Sequence, residues 1–274
     1  MYAPRTRTAG TTTGWWAVLG VLVLALDGFL LVAHALHHLG EALDPEAQWM
    51  PWFRAGSLWS AGQEGSLGEL FGHLQLGLAA VLLLVLAARS HGHRVLAAWG
   101  VAFLAMVADD FLELHERVGR SLGLDRVLPG LTAMGAQELG GLLFWGLFGS
   151  LLGLGLVLSH RRSLRAARSV SWTLMAVLVP LGLVAAGYVC LSVLRPDLLD
   201  GVMGATLALV RITTKLLTMT VLLVYTAYLA EESAEPDPVD GADRLNRDAG
   251  PGGVSSRSGP AGGGLPRPGG STRR

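Results

Sequence analysis

Cysteine occurs once in the chain, as Cys190, and lysine once, as Lys215. A single thiol excludes an internal disulfide and any CxxC metal or redox motif. Charge is also scarce: Asp, Glu, Lys and Arg make up 15% of the 274 residues, against 51% hydrophobic. There is no phosphate-binding Gly-rich loop, no HExxH and no Glu-x-x-His of the ferritin-like kind. Ser171 and Ser192 have no His–Asp arrangement near them in sequence, which leaves a serine hydrolase without support. The net charge of zero averages two unlike parts of the chain, and nothing in it calls for a nucleic-acid partner.

Long uncharged runs recur instead, such as LQLGLAAVLLLVLAA (74–88) and GLLFWGLFGSLLGLGLVLS (141–159). A bilayer core about 30 Å thick needs roughly 20 apolar residues per helix. The fold expected is all-α: a polytopic membrane protein with a bundle of six transmembrane helices, near 15–37, 68–88, 94–118, 138–159, 169–194 and 202–229. Small residues such as those in GSLLGLG (149–155) suit helix contacts, where backbones approach closely. The basic residues set the orientation. Arg5 and Arg7, Arg89 and Arg94, and Arg161, Arg162, Arg165 and Arg168 fall in three segments that contain no Asp or Glu. Short basic loops stay in the cytoplasm, so both termini are expected there, in a bacterial-type inner membrane.

That divides the chain into a short cytoplasmic segment (1–14), a membrane domain (15–230) and a cytoplasmic tail (231–274). The tail is rich in Gly, Pro, Ser and charge, and it lacks the apolar residues needed to offset the entropy of ordering. It reads as disordered, a place for protein partners. The start of the chain also fits a signal peptide, with Ala33-His34-Ala35 as a cleavage site. However, Trp15 to Ala33 exceeds an h-region of about 7–15 residues, and Trp15 with Trp16 reads as an interfacial anchor. Between the first two helices (about 41–66), Trp49, Trp52, Phe53 and Trp59 suggest a segment lying on the outer membrane surface among the lipids. An ordinary loop with interfacial aromatics is the plainer alternative.

With this topology the polar residues inside the helices gather in one leaflet. His34, His37 and His38 close the first helix, Glu69 and His73 open the second, and ADDFLELHE (108–116) ends the third. Gln137 and Glu138 start the fourth. Residues three, four and seven apart share a helix face, so Asp109, Glu113 and Glu116 are expected to form one acidic stripe. A carboxylate as deep as Asp109 needs a partner, for which Arg211 and Lys215 on the last helix are the candidates; they could equally hold a substrate anion. Imidazole and carboxylate together suit a divalent metal, zinc, iron or manganese. The expected ligands are His73, Asp109, Glu113 and Glu116, with His38, His115 and Glu138 beside them. A carboxylate outside the ligand set, Glu116 or Glu138, would be the catalytic base. The function so implied is metal-assisted hydrolysis or transfer on a lipid-borne substrate. A cation or proton-coupled transporter is the first alternative. The second is a structural or assembly subunit whose polar cluster only fixes packing, since Glu113 with Arg117 and Glu116 with Arg120 are spaced as plain ion pairs. Asp27, mid-helix, suits a proton relay or a partnered packing residue.

The motifs ELFGHLQ (69–75) and DDFLELHERVG (109–119) resemble a group of uncharacterised bacterial multi-span membrane proteins. An acid pair followed by His-Glu on one helix recurs in that group, and Asp109, Asp110, His115 and Glu116 match it. The resemblance implies a membrane bundle and no particular activity. Membrane-embedded ceramidase-like hydrolases are similar only in using His and Asp among several helices. Their paired-His final helix is replaced here by Arg211 and Lys215.

Overall fold

A computed structural model describes residues 14–43, 58–61, 65–89, 92–128, 132–199 and 201–234. The regular structure among them is helical: α1 (Trp15–Leu43), α2 (Leu67–Arg89), α3 (Arg94–Leu112), α4 (Leu114–Ser121), α5 (Leu124–Val127), α6 (Ala133–Arg161), α7 (Arg165–Leu194), a 3-10 turn (Pro196–Leu199) and α8 (Gly201–Ala234). Six of these helices, α1, α2, α3, α6, α7 and α8, are long and apolar enough to cross a membrane. The expected surface segment with Trp49, Trp52 and Phe53 lies outside the described residues, as does the tail from 235 onward.

The core follows the helical period. On α2, Leu76, Ala79, Ala80, Leu83 and Leu86 recur every three or four residues and so share a face. That face packs on Val95, Leu96, Trp99 and Phe103 of α3 and on Met219, Leu222 and Leu223 of α8. Deep in this apolar layer the few polar side chains are hydrogen-bonded, as burial requires. Trp99 Nε1 donates to Ser171 Oγ at 2.9 Å.

α1 packs chiefly on α8. Trp16 meets Tyr228 edge to face, 5.6 Å between ring centroids, so the start of α1 lies beside the end of α8. Further along, Asp27 of α1 meets Gln75 of α2 and Thr220 of α8. Gln75 Nε2 donates to Asp27 Oδ1 at 3.0 Å, and the Thr220 hydroxyl contacts both Asp27 Oδ2 and Gln75 Oε1. All three side chains are fully buried. The α2–α3 and α6–α7 turns also touch, with Leu164 N donating to Gly92 O at 3.1 Å. These turns are bordered by Arg89, Arg94, Arg161 and Arg165, which gathers the basic residues at one end of the bundle.

The third long helix is shorter than its composition suggests. α3 ends at Leu112, and Glu113 adopts φ 50°, ψ 36°, in the left-handed region. The chain then restarts as α4 in a new direction. A single helix over 94–118 is therefore not what forms, and the acidic stripe across Asp109, Glu113 and Glu116 is broken at its middle residue.

Candidate functional site

Glu113 has no side-chain hydrogen bond that caps α4. A carboxylate from the previous helix does the work instead. Asp109, 1% exposed, turns back so that Oδ1 accepts the His115 backbone N–H at 3.0 Å. Its Oδ2 lies 2.8 Å from His115 Nδ1. One buried carboxylate thus satisfies an open N–H in the first turn of α4 and aims the imidazole beside it.

The neighbouring carboxylate looks the other way. Asp110 Oδ2 is 2.8 Å from Nε2 of His73 on α2 and accepts from Lys215 Nζ of α8 at 3.2 Å. His73 is 5% exposed and packs against the Phe111 ring, centroids 5.1 Å apart. A carboxylate can only accept, so in each pair the facing ring nitrogen carries the hydrogen. The remote nitrogen of a neutral ring then keeps its lone pair. In His73 that atom, Nδ1, is buried and has no hydrogen-bond partner among the described residues. Such orphaned atoms are rare in folded proteins, where a water, an ion or a ligand usually meets them.

Two groups of donors stand close enough to hold a cation. One is Glu69, His73 and Asp110; the other is Asp109, Asp110 and His115. Within each, the donor atoms lie within 4.8 Å of one another. Asp110 belongs to both. Glu69 was legible as the i, i+4 partner of His73, and Asp110 as half of the acid pair, although the depth argument had favoured Asp109. The remaining expected residues stand elsewhere. Glu113 pairs with Arg117 at 3.8 Å and Arg120 at 3.5 Å. Glu116 pairs with Arg120 at 3.1 Å and accepts from Gln137 Nε2 at 3.0 Å. His38 lies in a ring cluster with His34 and His37, and neither donor group contains it, Glu113, Glu116 or Glu138. Lys215 does neutralise an acid of the pair, but Asp110 rather than Asp109. Among the described residues Arg211 forms no ion pair; its guanidinium sits over the Tyr188 ring, 4.6 Å from the centroid.

A cavity of about 320 Å³ opens beside these pairs, lined by Asp110, His115 and Glu116 on one side and by α6, α7 and Arg211 on the other. A second, wider cavity of about 640 Å³ shares Glu116, Gln137, Glu138, Tyr188 and Arg211 with it. The wall is positioned by a close helix contact. A Cβ on Gly140 of α6 would fall 2.5 Å from the Cα of Gly119 of α4, so the two backbones touch only because both residues lack side chains. One turn of α4 earlier, His115 packs over Gly141. No protein-family model matches the chain, and no curated protein and no solved structure matches it. The chemistry of the site therefore has to be read from its geometry.

Proposed function

We propose that the bundle sits in a bilayer with both chain ends on the cytoplasmic side. The aspartate–histidine pairs form an outward-facing divalent-cation centre that serves hydrolysis or transfer on a lipid-borne substrate. One observation carries this: two adjacent carboxylates each orient a histidine, and in His73 the opposite nitrogen is buried with no partner among the described residues. Carboxylate–histidine pairs of this kind fix the tautomer and raise the basicity of a metal-ligating imidazole. Asp110 orients the ring through Nε2, and His73 with Glu69 from the same donor group are the ligands we assign, a mixed imidazole and carboxylate set suited to zinc, iron or manganese. When bound, such an ion supplies a Lewis acid and an acidified water. His115, aimed by Asp109 and lining the cavity, is the proton acceptor. Glu116 is tied to Arg120 and Gln137 and serves as wall.

The test is elemental analysis of the full-length protein after gentle, chelator-free purification, beside His73→Ala and Asp110→Asn. About one equivalent of metal is expected in the wild type, with a loss of tenfold or more of affinity in each variant. Near-zero metal in all three would end the proposal. A purely structural role has its own support: Lys215 beside Asp110, and Arg117 and Arg120 beside Glu113 and Glu116, bring a cation to three of these acids. That role predicts a metal-free protein in which His73→Ala costs only stability.

A further inference from the structure

The cavity holds two opposite charges that do not meet. Most of the ionisable groups on its wall are matched: Asp110 by His73 and Lys215, Glu116 by Arg120, and His115 by Asp109. Glu138 and Arg211 line both cavities. Among the described residues Glu138 makes no ion pair or hydrogen bond, and Arg211 has only the Tyr188 face. A guanidinium stacked on a ring keeps its N–H edge free for a planar, two-toothed grip on a phosphate or carboxylate. Glu138 and Arg211 carry opposite charges and so attract each other. These two are held apart on separate helices, α6 and α8, so each remains available to a ligand.

The rest of the wall is apolar, with Leu142 and Trp145 from α6 and Ala185, Ala186 and Val189 from α7. These are also the two spans least covered by protein, 6% buried over their apolar windows against 28–44% for the other four. The apolar side of the cavity therefore belongs to the helices that face outward from the bundle, toward acyl chains.

We infer that the cavity takes a zwitterionic lipid headgroup, its phosphodiester on Arg211 and its ammonium on Glu138 beside the Trp145 ring, with the chains along α6 and α7. This names the substrate class for the lipid chemistry proposed above and rests on the bilayer placement of the bundle, but it does not require the ion. Trp145 adds an electron-rich face of the kind that favours ammonium groups.

Equilibrium binding to the full-length protein in a non-ionic detergent tests it, with chelator present so that metal plays no part. The probes are phosphatidylethanolamine, phosphatidylglycerol with matched chains, and soluble phosphoethanolamine. The wild type is expected to bind phosphatidylethanolamine roughly tenfold or more tightly than phosphatidylglycerol, the worth of one hydrogen-bonded charge. Glu138→Gln should erase that preference by weakening the ethanolamine lipid alone, and Arg211→Met should weaken both lipids about tenfold. Equal binding of the two lipids, or a preference that survives Glu138→Gln, overturns the assignment. Phosphoethanolamine binding as tightly as the lipid also overturns it, because a soluble head would then be the ligand. Lipid preference in metal-free protein stands or falls separately from the metal content, so each proposal can fail alone.

Discussion

Thr220→Val probes how the buried middle of the bundle is held. Asp27, Gln75 and Thr220 are 1%, 1% and 2% exposed and come from three different helices. Three contacts join them: the Gln75 amide donates to Asp27 Oδ1, and the single Thr220 hydroxyl hydrogen is shared between Asp27 Oδ2 and Gln75 Oε1. Valine keeps the shape of threonine and removes the hydroxyl, breaking two contacts and leaving Asp27 Oδ2 and Gln75 Oε1 against apolar neighbours. At roughly 0.5–1.5 kcal/mol per bond, the loss is about 1–3 kcal/mol. Interhelical bonds in membranes average nearer ~0.6 kcal/mol, which favours the lower end.

Asp27→Asn makes the contrast. The amide has the same shape and brings its own hydrogen, so every contact can be kept and the variant should lie within about 0.5 kcal/mol of wild type. The triple change Asp27→Leu, Gln75→Leu, Thr220→Val removes all the polar atoms at once. It should be more stable than Thr220→Val alone, because an absent polar group costs less than a stranded one. Reversible unfolding in mixed micelles, followed by tryptophan fluorescence, measures the series. If Asp27→Asn loses as much as Thr220→Val, or the triple variant is the weakest, the three side chains do not act as one ring.

Glu113→Gly should leave stability unchanged or raise it by up to about 1 kcal/mol, because glycine adopts φ 50° freely and the exposed pairs to Arg117 and Arg120 are worth little. Glu113→Val should destabilise in the same melting assay. Gly140→Val should cost about 1–3 kcal/mol by overpacking against Gly119 in the same melting assay. Beyond the end of α7, two hydrogen bonds from Arg195, at 3.0 and 2.8 Å, hold the Asp197 carboxyl below its ordinary range. A lowered folded value contributes stability at neutral pH that is lost as pH falls through that value. Both side chains are fully exposed, so melting of Asp197→Asn should be indistinguishable from wild type at neutral and acid pH alike.

The six long helices were legible because uncharged runs such as 74–88 have the length and apolarity of a membrane-crossing helix. Their ends were less so. The sequence carries neither Gly nor Pro at Leu112–Glu113 to mark the break, so the third helix reads on through 118. One signal was available: the expected helix ends in HERV (115–118) and runs straight into the polar GRS (119–121), which fits a separate helix rather than the end of an embedded one. The convergence of His73, the Asp109–Asp110 pair and Lys215 followed from helix direction and depth alone. Which aspartate faced which partner did not, because adjacent residues on a helix point about 100° apart and the rotation of a helix is set by packing. Gln75 and Thr220 gave no warning, since a single amide or hydroxyl in an apolar run is silent until a carboxylate arrives beside it.

The turn at Glu113 explains how neighbouring acids came to serve different histidines. In an unbroken helix His115 would lie six residues past Asp109, about 240° around the axis, out of reach of its carboxylate. The left-handed residue reverses the chain, so both the backbone and the ring of His115 return to Asp109. Glu113 and Glu116 are swung out to the arginines of α4, and Asp110 is left to α2 and α8. Glu113 is the one non-glycine residue with positive φ among those described, at a cost of about 1–2 kcal/mol. The cap that Asp109 provides is worth roughly 1 kcal/mol in return. A glycine would have made the turn more cheaply, yet the chain keeps a strained residue here, two positions before the cavity-lining His115. Strain of this kind, held by its surroundings beside a pair of oriented imidazoles, points to geometry kept for use rather than for stability.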